Sequence, residues 1–242
     1  MEFDSFVSNI REVLNDDADY LNLKNGLWQA PNQLDLWRLV GSRIFDSHLD
    51  TFSECAVQVL GEKDPKFELP VTEHYAANIH GKTRRYSAGL RKGLAQTLAL
   101  LNSYSEELIN CSNGKAKYIS AITLRQLLEN ADWQVWASLN NLLPILSESA
   151  PDEFFNIIDS TLKSDPCPYD MIFSQEGDGI TGGNYMTGLL WALEGLAWHE
   201  DYLSRSAIIL AELSTHDPGG TWANRPINSL KTILIPWFPQ TL

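Results

Sequence analysis

Cysteine is scarce in this chain of 242 residues. Cys55, Cys111 and Cys167 are odd in number and far apart, and no CxxC pair occurs, so the spacing predicts neither a disulfide framework nor a zinc knuckle. Unpaired thiols are typical of a reducing compartment. The first residues lack the basic start and apolar run of a signal peptide, and the apolar stretches are too short to span a bilayer. We therefore expect a cytoplasmic protein that does not enter a membrane.

Positive charge is also in short supply. The chain has 18 lysines and arginines against 31 acidic residues, which gives a net charge of −13. A surface of this charge repels nucleic acids and anionic membranes unless its basic residues cluster. The charge balance therefore favours a protein partner, or another domain of the same chain, over nucleic acid.

Motifs of catalysis and metal binding are missing from the sequence. The five histidines form no HExxH or other metal spacing, and no GxSxG elbow occurs. Adjacent carboxylates such as Asp152-Glu153 lie at predicted helix ends, where the helix dipole accounts for them. We therefore predict no catalytic residue, no metal ion and no cofactor, and we favour a protein that is not an enzyme.

What the chain does contain is helical periodicity. Nearly every apolar-rich segment repeats its apolar residues every three or four positions rather than every second one. Strand signals are sparse, and only Phe67–Val71 and Met171–Phe173 are candidates for short extended pieces. The pattern predicts an all-α fold with short connections.

Two similar segments of the sequence suggest an internal repeat. Leu128–Trp133 resembles Leu193–Trp198, and each is followed by an apolar helical pattern and then by a proline. Helix pairs of this kind bury their apolar faces by stacking, as in α-solenoids. We predict one helical-repeat domain over residues 1–242, with HEAT- or armadillo-like stacked antiparallel helix pairs and a candidate subdivision near residues 165–184. The alternative is an irregular helical bundle.

Two segments match phosphate-binding patterns. Glu176–Gly188 contains a GxGxxG run, but it lacks a surrounding βαβ unit, so we interpret it as a bend in which Asn184 caps the next helix. Ala76–Thr83 fits a relaxed Walker A pattern, in which Lys82 would contact the outer phosphates and Thr83 would bind Mg²⁺. The alternative for this segment is a helix N-terminus capped by Thr83.

The basic residues that follow form the one dense positive patch in the sequence. A helix starting at Thr83 would place Arg84, Arg91 and Lys92 on one side. Such a patch could bind phosphate, nucleic acid or an acidic partner surface, or it could be a solvated helix face, which is the commoner case. The candidate residues for phosphate or for an acidic partner are Lys82, Thr83, Arg84, Arg85, Arg91 and Lys92.

Tryptophan is frequent, with eight copies, and most lie in the second half of the chain. Trp133 and Trp198 recur at the same place in the two repeat copies, which favours helix packing for both. Trp222 and Arg225 lie in a turn-rich segment and are candidate partner contacts. The chain ends with an apolar IPWFPQTL, which suggests a fragment of a longer protein because solenoids usually end in a polar cap.

Two runs carry a resemblance to a known class of proteins. They are Tyr86–Leu101, and Leu189–Glu194 together with Asp217–Gly220, Asn224–Pro226 and Pro236–Trp237. The chain resembles the helical-repeat region of very large bacterial proteins that join an NTPase or effector module to such repeats, several of them of the antiviral-defence type. The resemblance implies a scaffold or sensor region that mediates protein–protein or intramolecular contact, with no catalytic residue to carry over.

Overall fold

A computed structural model of the chain describes residues 8, 22–24, 27–175, 183–220 and 222–235. Apart from one small hairpin, the regular secondary structure of the described residues is helical, so the all-α prediction is confirmed. The hairpin pairs β1 (Asn22–Lys24) with β2 (Leu27–Gln29) in antiparallel register, with Leu23 opposite Trp28. The connecting dipeptide in the sequence is Asn25-Gly26, which is typical of tight hairpin turns. The strand prediction did not include this hairpin.

Between residues 30 and 235 the described chain forms eleven α-helices. They are α1 (Gln33–Gly41), α2 (Asp46–Leu60), α3 (Ala88–Ser103), α4 (Lys115–Leu128), α5 (Trp133–Ser138), α6 (Leu143–Ser149), α7 (Pro151–Leu162), α8 (Pro168–Ser174), α9 (Thr187–Leu196), α10 (Glu200–His216) and α11 (Pro226–Leu234). Three short 3₁₀ helices cover Pro65–Glu68, Val71–Ala76 and Ser105–Glu107.

The longer helices pack in two rows. In one row α2 contacts α4, α4 contacts α7, and α7 contacts α10. In the other row α3 contacts α6, and α6 contacts α9. Helices that follow each other in the chain join the rows, namely α3 with α4, α6 with α7 and α9 with α10. The short α5 packs on α8, and α11 packs on both α9 and α10.

A continuous hydrophobic core lies between these rows and extends from Trp37 to Leu213. Helix α7 shows how the sequence builds it. Pro151 occupies the first helical turn, where its missing N–H is harmless, and the residues buried after it recur at helical spacing. Four of them, Phe154, Phe155, Ile157 and Ile158, form an apolar face that packs towards the neighbouring helices.

Both predicted extended pieces are wrong. Phe67 lies in the 3₁₀ helix Pro65–Glu68, Val71 begins the next one, and Met171–Phe173 lie inside α8. The prolines explain the difference, because Pro65 and Pro168 stand in the first turns of these helices, where a fixed φ favours helical backbone. At Pro65 the Asp64 carboxylate also accepts a hydrogen bond from the Lys66 amide at 3.1 Å.

The predicted helix start at Thr83 is also wrong, because α3 begins at Ala88. Ser87 is the N-cap, and its hydroxyl oxygen accepts the Leu90 amide at 3.2 Å. The residues before it are held by Glu62, whose two carboxylate oxygens accept the amides of Arg85 and Tyr86 at 2.5 and 3.2 Å. Lys82 to Tyr86 therefore form a tethered loop, and Thr83 caps no helix.

Trp133 and Trp198, the tryptophans of the two similar segments, have different environments. Trp133 is half-buried, with its ring 5.1 Å from that of Phe67, which agrees with the packing interpretation. Trp198 is 68% exposed, so the packing interpretation is wrong for this residue. The two positions differ because α5, which Trp133 begins, packs against α8, whereas Trp198 lies in the turn between α9 and α10.

Among the described helices none has the length and apolar character needed to cross a bilayer.

Candidate anion-binding cavity

The predicted basic residues do not share one helix face. Lys82 forms an ion pair with Glu68, and the exposed Arg85 stacks over the Tyr86 ring at 5.3 Å. Thr83 and Lys92 are exposed. Arg84 and Arg91, in contrast, both turn towards the carbonyl of Ser138, at 3.1 and 3.3 Å. The structure therefore brings Arg84 and Arg91 together at this carbonyl, whereas Lys82, Thr83 and Arg84 line a separate cavity with Asp64.

Arg91 is buried, with 1% of its surface exposed, and it holds the end of α2. Its two terminal nitrogens donate to the carbonyls of Val59 at 2.7 Å and Leu60 at 3.2 Å. These carbonyls belong to the last turn of α2, where the helix itself provides no donor. Burial lowers the pKa of Arg91 to about 10, so the guanidinium remains charged at neutral pH.

Arg84 and Lys66 share the carboxylate of Asp64. Arg84 donates to it at 2.8 Å, the Lys66 ammonium lies 3.6 Å away, and the Asp64 amide donates to the Ser138 hydroxyl at 2.7 Å. Burial opposes ionisation of Asp64, but the Lys66 amide and the two cations outweigh it and lower the pKa of this carboxyl. Burial also lowers the pKa of Lys66, and the nearby Asp64 partly offsets the effect.

The three cations line one cavity of about 260 Å³. Lys66 comes from a 3₁₀ helix, Arg84 from the tethered loop and Arg91 from α3. The other polar residues of the wall are Ser138, Asn140, Asn141, Asn184 and Tyr185. Within the part of the chain that the structure describes, no carboxylate lines this cavity, although the whole chain carries a charge of −13. The cavity is thus a local concentration of positive charge with amide groups around it.

Two aromatic rings, those of Phe67 and Tyr185, contact the Lys66 ammonium. The ammonium lies 4.6 Å from the centre of the Tyr185 ring and 5.1 Å from that of Phe67, within cation–π range. Tyr185 is held in turn by His74, whose Nδ1 lies 2.9 Å from the tyrosine hydroxyl, while its Nε2 faces the Leu69 carbonyl at 3.1 Å. Because a carbonyl can only accept, Nε2 carries the proton of the neutral ring and Nδ1 accepts from Tyr185.

The far wall depends on a close contact between α9 and the loop after α5. The Gly188 amide donates to the Asn140 side chain at 2.7 Å. A Cβ at position 188 would lie 1.7 Å from the Asn140 carbonyl oxygen, so only glycine allows this approach. This contact places Asn184 and Tyr185, which precede α9, at the cavity. Asn184 does not cap α9 as predicted, because its oxygen accepts the Met186 amide at 2.8 Å, before the helix begins.

The predicted partner contacts lie elsewhere. Arg225 is 5% exposed and forms an ion pair with Asp217 at 2.7 Å, so its side chain is built into the turn before α11. Trp222 is half-buried, and its role as a partner contact stays a prediction. The glycines from 176 to 182 in the GxGxxG run lie outside the described residues.

Comparison of the chain with family models, with curated proteins and with solved structures found no match. Function is therefore inferred from the geometry of the cavity and from the packing of the helices.

Proposed function

We propose that the chain is a non-enzymatic helical-repeat scaffold or sensor that binds an acidic segment of a protein partner, or of another part of its own chain, in the cationic cavity. One observation carries the proposal: Lys66, Arg84 and Arg91 converge on a cavity whose described lining has no carboxylate, in a protein of charge −13, and Lys66 and Arg84 share the single carboxylate of Asp64. Complementary charge gives specificity and speeds association.

The packing of the helices supports a repeat architecture. Three successive helix pairs, α3/α4, α6/α7 and α9/α10, contribute one helix each to the two rows. Stacking of this kind buries a core that no single pair could bury alone, which is the logic of HEAT- and armadillo-like solenoids. Solenoids usually function as extended binding surfaces, so the architecture favours binding of a partner over a chemical reaction.

The size of the cavity favours a single acidic group as the ligand. Cavities for drug-sized ligands usually measure about 300–1,000 Å³, and this one is smaller, at about 260 Å³. A side-chain carboxylate or a phosphate group fits such a volume better than a whole nucleotide does. The Lys66 and Arg84 side chains keep about a quarter of their surface exposed, 24% and 27%, so both can reach an incoming anion.

Calorimetric titration with a synthetic glutamate-rich peptide at low salt tests the proposal. We expect Lys66→Gln and Arg84→Gln each to weaken binding by roughly tenfold or more, because each removes a charged contact from a partly enclosed site. Lys92→Gln is the matched control, since this exposed lysine lies on α3 next to buried Arg91. Absence of peptide binding in the unmodified protein, or an equal loss in Lys92→Gln, would exclude the cavity as the binding site.

The nucleotide reading of Ala76–Thr83 remains the second candidate. Lys82 is engaged by Glu68, and α3 begins five residues after Thr83, so neither residue has the helix-start geometry that the Walker pattern requires. ATP binding that Lys82→Ala abolishes would restore the nucleotide-binding interpretation.

Nucleic-acid contact through residues 82–92 predicts a salt-dependent gel shift instead. Membership of a bacterial antiviral-defence protein, and a cytoplasmic location, stay predictions.

A further inference from the structure

A second cluster of reactive side chains lies at the junction of α8 and α10. Cys167 immediately precedes α8, Asp170 lies in its first turn, and His216 is the last residue of α10. One ligand atom from each of the three residues lies within 4.8 Å of the other two. We propose that Cys167, Asp170 and His216 bind a divalent transition-metal ion of the zinc type, which joins α8 to α10.

The donor atoms decide the class of metal. A thiolate and an imidazole are preferred by Zn²⁺ and similar transition metals, and a carboxylate completes many such sites. Calcium and magnesium take oxygen ligands almost entirely, so a sulfur and a nitrogen donor argue against both. No metal site is predicted from the sequence because the cysteine and the histidine are separated by 48 residues and form no familiar spacing.

The geometry needs only small side-chain movements. With metal–ligand bonds of about 2.0–2.3 Å, ligand atoms in a tetrahedral site lie roughly 3.3–3.8 Å apart. The His216 Nδ1 and the Asp170 carboxylate oxygen are 2.8 Å apart, where one proton holds them together. A metal ion would replace that proton and move the two atoms slightly apart, while the Cys167 sulfur, which lies within 4.8 Å of both, would move closer to them.

Glu212 lies one helical turn before His216 on α10, but the three clustered ligand atoms do not include its carboxylate. The fourth position of a tetrahedral site would be filled by water, as in zinc sites that have three protein ligands.

Burial raises the pKa of the Cys167 thiol, and the neighbouring backbone amides of Tyr169 and Asp170 partly offset this effect. The other two ligands reach solvent directly, because the Asp170 and His216 side chains keep 54% and 23% of their surface exposed. Because binding must displace the thiol proton, metal affinity should increase with pH.

Titration of the purified, chelator-treated chain with Co²⁺ tests the proposal. We expect one equivalent to bind with a sulfur-to-metal charge-transfer band in the near ultraviolet, and Zn²⁺ to displace it. Cys167→Ser should remove the band, and His216→Gln should weaken binding by ~100-fold or more, since even supporting residues of metal sites contribute about 10–100-fold. The serine variant keeps the size of the side chain, and circular dichroism of each variant reports whether it folds.

Two matched controls separate this site from adventitious metal binding. Cys55→Ser changes an exposed cysteine and His80→Gln an exposed histidine, and both should leave the Co²⁺ band and affinity unchanged. The proposal is overturned if no stoichiometric band forms, or if the folded Cys167→Ser variant keeps it. This experiment is independent of peptide binding in the cationic cavity, so either proposal can fail alone.

Discussion

Replacement of Arg91 by methionine separates the structural role of this arginine from a role in binding. The substitution keeps a long apolar stem but removes the donors to the carbonyls of Val59 and Leu60. Both carbonyls lie at the end of α2 and would be left buried without a partner. The Ser138 carbonyl would keep a donor, because Arg84 also contacts it at 3.1 Å.

The magnitude follows from these two lost partners. A buried polar group left unsatisfied costs about 1–3 kcal/mol, so two carbonyls cost about 2–6 kcal/mol. The side chain also loses its ion pair with Glu62 at 3.8 Å, and breaking a buried pair typically costs about 3–5 kcal/mol in total. We expect Arg91→Met to lower the free energy of unfolding by about 3–5 kcal/mol, which for a chain of this length lowers Tm by roughly 6–20 °C.

Urea denaturation followed by circular dichroism measures the effect. Lys92→Met is the matched control. The Lys92 side chain is next to Arg91 in the chain but is exposed, and surface substitutions usually change stability by less than about 0.5 kcal/mol. A shift of the urea midpoint in Arg91→Met no larger than that in Lys92→Met would refute the role of Arg91 as the anchor of α2.

Two further predictions concern the walls of the cationic cavity. Gly188→Ala would force a methyl group against the Asn140 backbone and should lower the free energy of unfolding in urea denaturation by about 1–3 kcal/mol or more, whereas Gly195→Ala, with open space around it, should be neutral or slightly stabilising. Burial lowers the pKa of His74 below its usual 6.5, so the unfolded chain binds the proton first and stability should fall as pH drops below about 6.5. A variant with His74→Gln should lose this slope in urea midpoints measured from pH 5 to 7, and an unchanged slope would contradict the assignment.

The helices were predictable from sequence because apolar residues three and four apart must share a face. The boundaries of the helices were less predictable. The start of α3 moved from Thr83 to Ala88 because Ser87 is the better cap and because Glu62, more than twenty residues away, binds the intervening amides. The proline-led segments at Pro65 and Pro168 were mistaken for extended chain because short 3₁₀ and α-turns bury too few residues to show a period.

The cationic cavity was predictable only in part, because it joins residues that are distant in sequence. Arg84 and Arg91 belong to a visible basic cluster, but Lys66 does not, and Asn184 lies almost 120 residues beyond it. No local spacing relates these positions. The same holds for Cys167 and His216, whose proximity depends on where the end of α10 meets the start of α8.

The contacts of the three cations also determine which of them could hold a ligand. Arg91 donates to carbonyls of α2 through both terminal nitrogens and has 1% of its surface exposed, so its positive charge contributes to the field in the cavity and only its buried Nε is left without a partner. Arg84 and Lys66 share one carboxylate, that of Asp64, and both keep exposed surface. One negative charge cannot neutralise two positive ones, and an anion entering the cavity would restore the balance without displacing Asp64. Lys66 and Arg84 are therefore the two side chains that would contact an acidic ligand directly, and Arg91 is the residue that holds the wall behind them.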